Sequence, residues 1–551
     1  MIRITGRTVR SAPLLILLVT VSFGAVRPAS RRPDAAAAAR FLQQASWGPT
    51  AATVAHVQDI GFAAYIEEQF AATPSTISVP PPDANGNTSL RGVQDQFFFN
   101  AVSGEDQLRQ RVMFALNQIW VVSGLKITDP AAMVNYLQVL QRDAFTNYYD
   151  VMYDVTLSPA MGHYLDMVNN DKPNPRTGRG ANENYAREFM QLFTIGLSKL
   201  HLDGTPMADA SGNPIPTYTQ DTIEGFARAF TGWTYAPAAG AEPKAHNPAN
   251  WTKPMVPWNA NHDTDPKELL NGVILPPRQT AEEDLRGALN NVFNHPNVGP
   301  FVCRQLIQHL VTSNPSPAYV ARVVRVFDGT GLALRPEPGT SRLAAMGRGV
   351  AEDIPAVRGD MEAVIGAILL DREARQGDDA VLPPGAGHLR EPVLFINSLL
   401  RALNATVSPG NGLAPAGSIL GQNIYFPPTV FNYFAPDYEI PGTTVNAPEF
   451  QILSPATAML RADFVNSLAY GKIAGVSVDF TPFIQLSANA NGSGDTARML
   501  NVFDAALMWG RMPADMRGIL AKAVGAAPST RAKVQAAIYL IATSWQYQVE
   551  R

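Results

Sequence analysis

Along most of the chain, apolar residues recur at the i, i+3, i+4, i+7 spacing that gives a helix one buried face. Leu108, Val112, Ala115, Leu116 and Ile119 share such a face, as do Met361, Val364, Ile365 and Ile368, while Val302, Leu306 and Leu310 align at successive fours. The same period predicts helices over 52–70, 131–145, 219–231, 281–293, 317–327, 391–403, 450–470 and 531–543. Strand signals are sparse. Residues 199–203 and 215–219 flank the turn formers Asp203-Gly204 and Ser211-Gly212-Asn213, which predicts one small hairpin. Polar or proline-rich connections interrupt the helices at 73–89, 169–181, 234–265 and 377–387. The third carries Trp251 and Trp258 and starts beside Trp233, so it reads as an ordered cover, since disordered segments are poor in aromatics. No fixed-period repeat supports a solenoid. The expected fold is mainly α: a large multi-helix globular array with a minor β-hairpin and long ordered loops.

The start of the chain changes this picture by adding an address. Arg3, Arg7 and Arg10 precede an uncharged run over 14–23, and the small residues Ser22 and Gly24 at its end place a cut near Ala25. Basic, apolar and small regions in that order read as a signal peptide, and the run is too short for the ~20 apolar residues of a membrane span. The expectation is an exported protein, periplasmic or secreted, divided into a leader at 1–25, a linker at 26–39, a main helical domain at 40–470 and a helical extension at 471–551 packed on it. No later run reaches spanning length, so no transmembrane segment is expected in the mature chain. Cys303 is the single cysteine, which leaves a buried structural thiol and a fold held by its core instead of by disulfides. A formal charge of −4 without a basic stripe excludes nucleic acid as the expected partner.

At Asn182 the sequence reads NENYAREFMQLFTIG, and other unusual runs accompany it: SWGPT at 46–50, SPAMGHYLD at 158–166, FTGW at 230–233, HD at 262–263, HPNVGPF at 295–301, RGDMEAVIGAILLD at 358–371 and LREP at 389–392. Together these resemble the landmarks of the bacterial domain-of-unknown-function family numbered 1800, from about Arg40 to about Leu460. The resemblance implies a large exported bacterial protein, and a partner drawn from another exported family of unknown function encoded nearby. It implies no activity.

Chemistry must then be read from the landmarks themselves. On a helix from Asn182, Tyr185, Phe189, Leu192 and Phe193 share an apolar arc, Glu183 and Arg187 pair four apart on the far side, and Asn184, Glu188 and Gln191 form a polar file between. Glu188 thus sits at the apolar boundary, where a carboxylate is either neutralised by a partner or raised in pKa as a general acid requires. Asp166, folded back across the 169–181 loop, is expected near Glu183. His163, His262 and Asp263 add mixed nitrogen and oxygen donors, the set that divalent zinc, manganese or iron draws on, although no HExxH pair is present. Arg109, Arg111, Arg187, Arg304 and Arg390 read as helix caps or partners for carboxylates such as Glu188 and Glu391, or, if clustered, as an anion site. His309 reads as a packed residue, and Asn297 as the N-cap of the helix carrying Phe301 and Arg304. Neither GxSxG nor a P-loop occurs. The leading expectation is a hydrolase-like acid-base enzyme acting on an envelope or extracellular polymer, with Glu188 as acid or base, Glu183 and Arg187 positioning it, and Asp166 with His262 and Asp263 forming the opposite wall or holding a metal. The alternatives are a helical envelope binding or assembly protein and a metal-binding protein.

Overall fold

The structure is a computed structural model and describes residues 32–330, 357–378, 382, 385–489 and 494–551. The leader expected at 1–25 lies outside these residues. The fold is mainly α, and its strands are antiparallel pairs only two residues long. Among the described residues no helix is long and apolar enough to cross a membrane. One continuous core runs from the first described helix, Ala35–Ala45, to the last long one, Thr530–Ala542. The first begins inside the stretch expected as linker because Asp34 accepts a hydrogen bond from Ala37 N (2.8 Å) and so caps it.

The apolar period places most helices where they form, and the departures have local causes. The helix expected over 52–70 is two, Ala51–Ile60 and Phe62–Ala71, because Gly61 takes φ +85, closes the first by donating to Val57 O (2.8 Å), and opens the second. The expected hairpin is a curled ribbon. Lys199 N donates to Ile215 O (2.7 Å), Met207 N to Lys199 O (2.7 Å) and Ile215 N to Met207 O (3.0 Å), with Gly204 and Gly212 turning at positive φ. The long 234–265 connection is ordered. Trp233 and Thr234 pair with Pro257 and Val256, buried Asn247 donates to Tyr235 O (2.7 Å), and Trp251 meets Tyr235 edge-on at 5.4 Å.

The NENYAREF segment departs most from a regular helix. It is α-helical at Asn184–Glu188 and π-helical at Phe189–Thr194. A widened turn misdirects backbone groups, and here each finds a partner. Thr194 Oγ1 donates to Phe189 O (2.6 Å), Tyr148 OH to Phe193 O (2.8 Å), and Ile195 N and Gly196 N both to Met190 O (3.0 Å each). Tyr185, Phe189 and Phe193 are buried against Phe230 and Trp120, as the period requires. Leu192 is not in their arc. The widened turn rotates it and Gln191 onto the wall of a cavity.

That wall is fixed from the neighbouring helix Val298–Leu310. Asn297 stands at its N-cap position, yet the side chain makes no capping bond. Instead Asn297 Nδ2 donates to Ile195 O and Ser198 O (2.8 Å each), and Oδ1 accepts from Leu200 N (3.0 Å). Gly196 completes the fit: at φ +72, a Cβ there would lie 2.8 Å from the Phe301 ring. Because Asn297 is buried and serves three backbone groups, Asn297→Ala is expected to cost about 3 kcal/mol. Loss of a cap alone costs about 1 kcal/mol. Urea denaturation separates the two, and a loss near the smaller figure removes the clamp.

Candidate functional site

Asp166 does fold back to the start of the NENYAREF helix, at φ +58, but it meets Asn184 and not Glu183. Asn184 Nδ2 donates to Asp166 Oδ2 (2.8 Å), and Lys126 Nζ lies 2.7 Å from Oδ1. Glu183 and Arg187 pair as their spacing suggests (2.8 Å), and Gln220 closes a triangle by donating to Glu183 (3.0 Å) and accepting from Arg187 (3.2 Å). This ties the segment to the start of the helix Gln220–Ala229.

Glu188 lies between that triangle and the core, at the last α-helical position before the turn widens. Its Oε2 is buried and, among the described residues, has no hydrogen-bond partner. Half-burial raises its carboxyl pKa, and the Arg187 charge only partly opposes this. Tyr164 and Tyr218 stand close enough to feel its charge; burial and that charge push both phenols up to about 12, so both remain donors. The Tyr218 hydroxyl is likewise buried without a partner. A carboxyl raised in pKa and an unspent phenol at one place form an arrangement able to pass a proton to a bound group.

One turn onward, Gln191 and Leu192 reach a cavity of about 470 Å³. The residues after them, from Gly196 to Leu200, supply one side, the helix Val298–Leu310 a second, and the loop carrying Phe431, Phe434 and Asp437 a third. Gln118, Gln308 and Glu449 make a buried floor, whereas Leu197, Phe431 and Asp437 form an exposed rim.

Behind the floor lies a buried charge cluster. His388 Nε2 is 3.2 Å from Glu550 and Nδ1 3.6 Å from Glu449, and Arg390 Nε is 3.7 Å from Glu550. Antiparallel pairing of His388 and Leu389 with Glu550 and Val549 sets this register. Burial pulls the His388 imidazolium down, but its two carboxylates outweigh that and hold it up at about 10. Burial pushes Glu391 up to about 7, although it accepts from Gln118 (3.3 Å) and Gln422. The cavity and this cluster escape sequence reasoning because their members come from distant segments. The one local signal is HLRE at 388–391, four residues with three ionisable groups set before a wholly buried helix.

The remaining expected donors stand elsewhere. His262 is buried at the other end of the Gln220–Ala229 helix, with Nδ1 donating to Thr231 O (2.9 Å) and Nε2 against Asp284 (2.9 Å). Lys267 Nζ also meets Asp284 (2.7 Å), and Asp263 forms a two-point pair with Arg228 (2.8 and 3.0 Å). Both ring nitrogens of His262 are therefore spent on protein acceptors. His163 Nδ1 lies 3.2 Å from the Tyr235 hydroxyl, under the cover loop. Among the described residues no three His, Cys, Asp or Glu side chains gather as a metal would require. Of the arginines, Arg109 and Arg111 donate to backbone carbonyls, Arg187 takes Glu183 instead of Glu188, and Arg390 takes Glu550 instead of Glu391.

Removing one partner of a buried pair strands the other, so Glu550→Gln is expected to cost about 3–5 kcal/mol in urea denaturation. The pH dependence has a definite sign. His388 is raised from 6.5, so its contribution is whole below 6.5 and is lost as pH climbs through about 10. Glu391 is raised from 4.5, so its native proton favours the fold below 4.5 and that benefit fades towards 7. Stability should thus fall with rising pH in both windows, and Glu550→Gln should flatten the upper one. A wild-type curve that is level from pH 6.5 to 10 contradicts this.

Five of the landmark segments meet in this geometry: NENYAREFMQLFTIG and HPNVGPF build the cavity wall, LREP its foundation, and FTGW with HD the His262 packing, where a Cβ at Gly232 would lie 2.8 Å from His262 Cβ. No curated protein and no solved structure matches the chain. The profile of the family described as "Protein of unknown function (DUF1800)" matches residues 40–549, nearly the whole chain, and the protein belongs to that family.

Proposed function

We propose that this protein is an exported acid-base enzyme, a hydrolase acting on an envelope or extracellular polymer, with Glu188 as its general acid. The observation that carries the reading is the buried, unpartnered Oε2 of Glu188 beside the unpartnered Tyr218 hydroxyl. Buried polar atoms are almost always satisfied, and two exceptions at one place suit a site whose partner is a substrate. Glu188 in its protonated form donates to the leaving group. Tyr218 donates to the oxygen on which negative charge develops. Arg187 is held away from Glu188 by Glu183 and Gln220, which limits how far its charge can draw the proton off. Lys126, Asp166 and Asn184 fix the start of the helix and position Glu188 without touching the reaction. The leader pattern at 1–25 supports the compartment.

The test is a screen of purified protein against chromogenic glycosides, esters and amides, with Glu188→Gln alongside. Hydrolysis of one class is expected, reduced by about 10²–10⁴-fold in the variant. Because the acid must hold its proton, kcat/KM should fall on the alkaline side of a pKa raised above 4.5. Tyr218→Phe should lower the rate about tenfold or more while leaving that limb in place. Turnover equal in Glu188→Gln, or none on any class, overturns the reading.

A further inference from the structure

The cavity reached by Gln191 and Leu192 has its own chemistry, and one face of the helix Val298–Leu310 forms a whole side of it. Pro300, Phe301, Arg304, Gln305, Gln308 and His309 all line it, a pattern of adjacent pairs every four residues that follows one side of a helix. Ile119, Leu192, Leu200, Phe301 and Phe434 give apolar walls. Leu197 and Phe431, at 59% and 56% exposure, extend that apolar surface out to the rim. The volume falls inside the ~300–1,000 Å³ of small-molecule sites.

The charges in the wall are unequal in their needs. Glu449 accepts from Ser313 Oγ (3.0 Å) and faces His388, so its charge is already met. Asp437 is exposed and solvated. His309 is held neutral, its pKa lowered to about 3 by burial and by the Arg111 and His388 charges. Arg304 is different. Its stem packs near Gly204, and among the described residues its guanidinium has no ion pair within 4 Å and makes no hydrogen bond. Asp437 acts on it only from a distance, and burial opposes its charge. A half-buried arginine without an ion pair, in a wall whose two carboxylates are engaged by His388 or set at the solvated rim and whose other surface is mainly apolar, is completed by an anion that brings apolar surface with it.

We infer that this cavity is a binding site for a small amphipathic carboxylate, whose head pairs with Arg304 and whose apolar body lies against Leu192, Leu200, Phe301 and Phe434. The two oxygens of a carboxylate match the guanidinium fork. A cationic head would meet Arg304 as a like charge, and a sugar would set its hydroxyls against Leu192, Leu200, Phe301 and Phe434. Binding at this site is separate from any proton transfer at Glu188.

Calorimetric titration with decanoate, decanol and decylammonium, each below its micelle concentration, tests the assignment. Decanoate should bind at one site per chain, about tenfold or more tighter than decylammonium. Arg304→Gln should weaken decanoate about tenfold or more and change decanol less than about twofold. If that variant does not fold, the ranking of the three probes on the native protein decides. Decylammonium binding as tightly as decanoate, equal decanoate binding in Arg304→Gln, or no saturable decanoate binding overturns it.

Discussion

When a helix widens into i→i+5 pairing, its carbonyls point away from their usual donors and must be met by something else or left buried and unsatisfied. At Phe189–Thr194 that demand is met by Thr194, by Tyr148 from a neighbouring helix, and by two successive amides that share the Met190 carbonyl. Much of what matters in this protein depends on that arrangement. It fixes Glu188 at the last regular position, turns Gln191 and Leu192 towards the cavity, and delivers Gly196 to the Phe301 ring at a conformation few other residues adopt.

The molecule buries a good deal of charge, and it does so in two places with different character. Around His262, Asp284 and Lys267 the groups are close and specific, and two neighbouring elements are fixed by them: the 262–268 segment and the helix Ala281–Phe293. Around His388 the contacts are longer, several nitrogen and oxygen atoms have no partner among the described residues, and the cluster adjoins an open cavity. The first is a fastener. The second is a polarised foundation whose field reaches Gln118, His309 and Glu449 on the cavity side.

Helical period alone located the helices at 281–293 and 317–327 residue for residue, because their apolar stripes continue unbroken between clear caps at Thr280 and Ser316. It missed the break at Gly61, where one glycine at positive φ outweighs a continuous stripe, and it could not see the widened turn, which has no composition of its own. Glu188 was legible as a carboxylate at an apolar boundary, since that is a local property of one helix. The destination of His262 was not, because pairing with Asp284 and Lys267 is settled by packing between segments. Asn297 illustrates the same limit: its position was the expected one, but its side chain answers to the backbone of residues 195–200 instead of its own helix. Arg304 was read with the other arginines as a cap or carboxylate partner, and its place in the cavity wall is settled by packing between segments.

The His388 cluster also bears on how the chain folds. Its members lie at 111, 388–391, 449 and 550, and the His388–Glu550 contact alone spans 162 residues. Pairings so distant close late, since the intervening loop must be ordered before the contact rewards it. Until residue 550 is synthesised, His388 and Arg390 lack their shared carboxylate and the floor of the cavity has no foundation. Helices such as Ala35–Ala45 can form as they are made, but the cavity floor waits for residues 549 and 550.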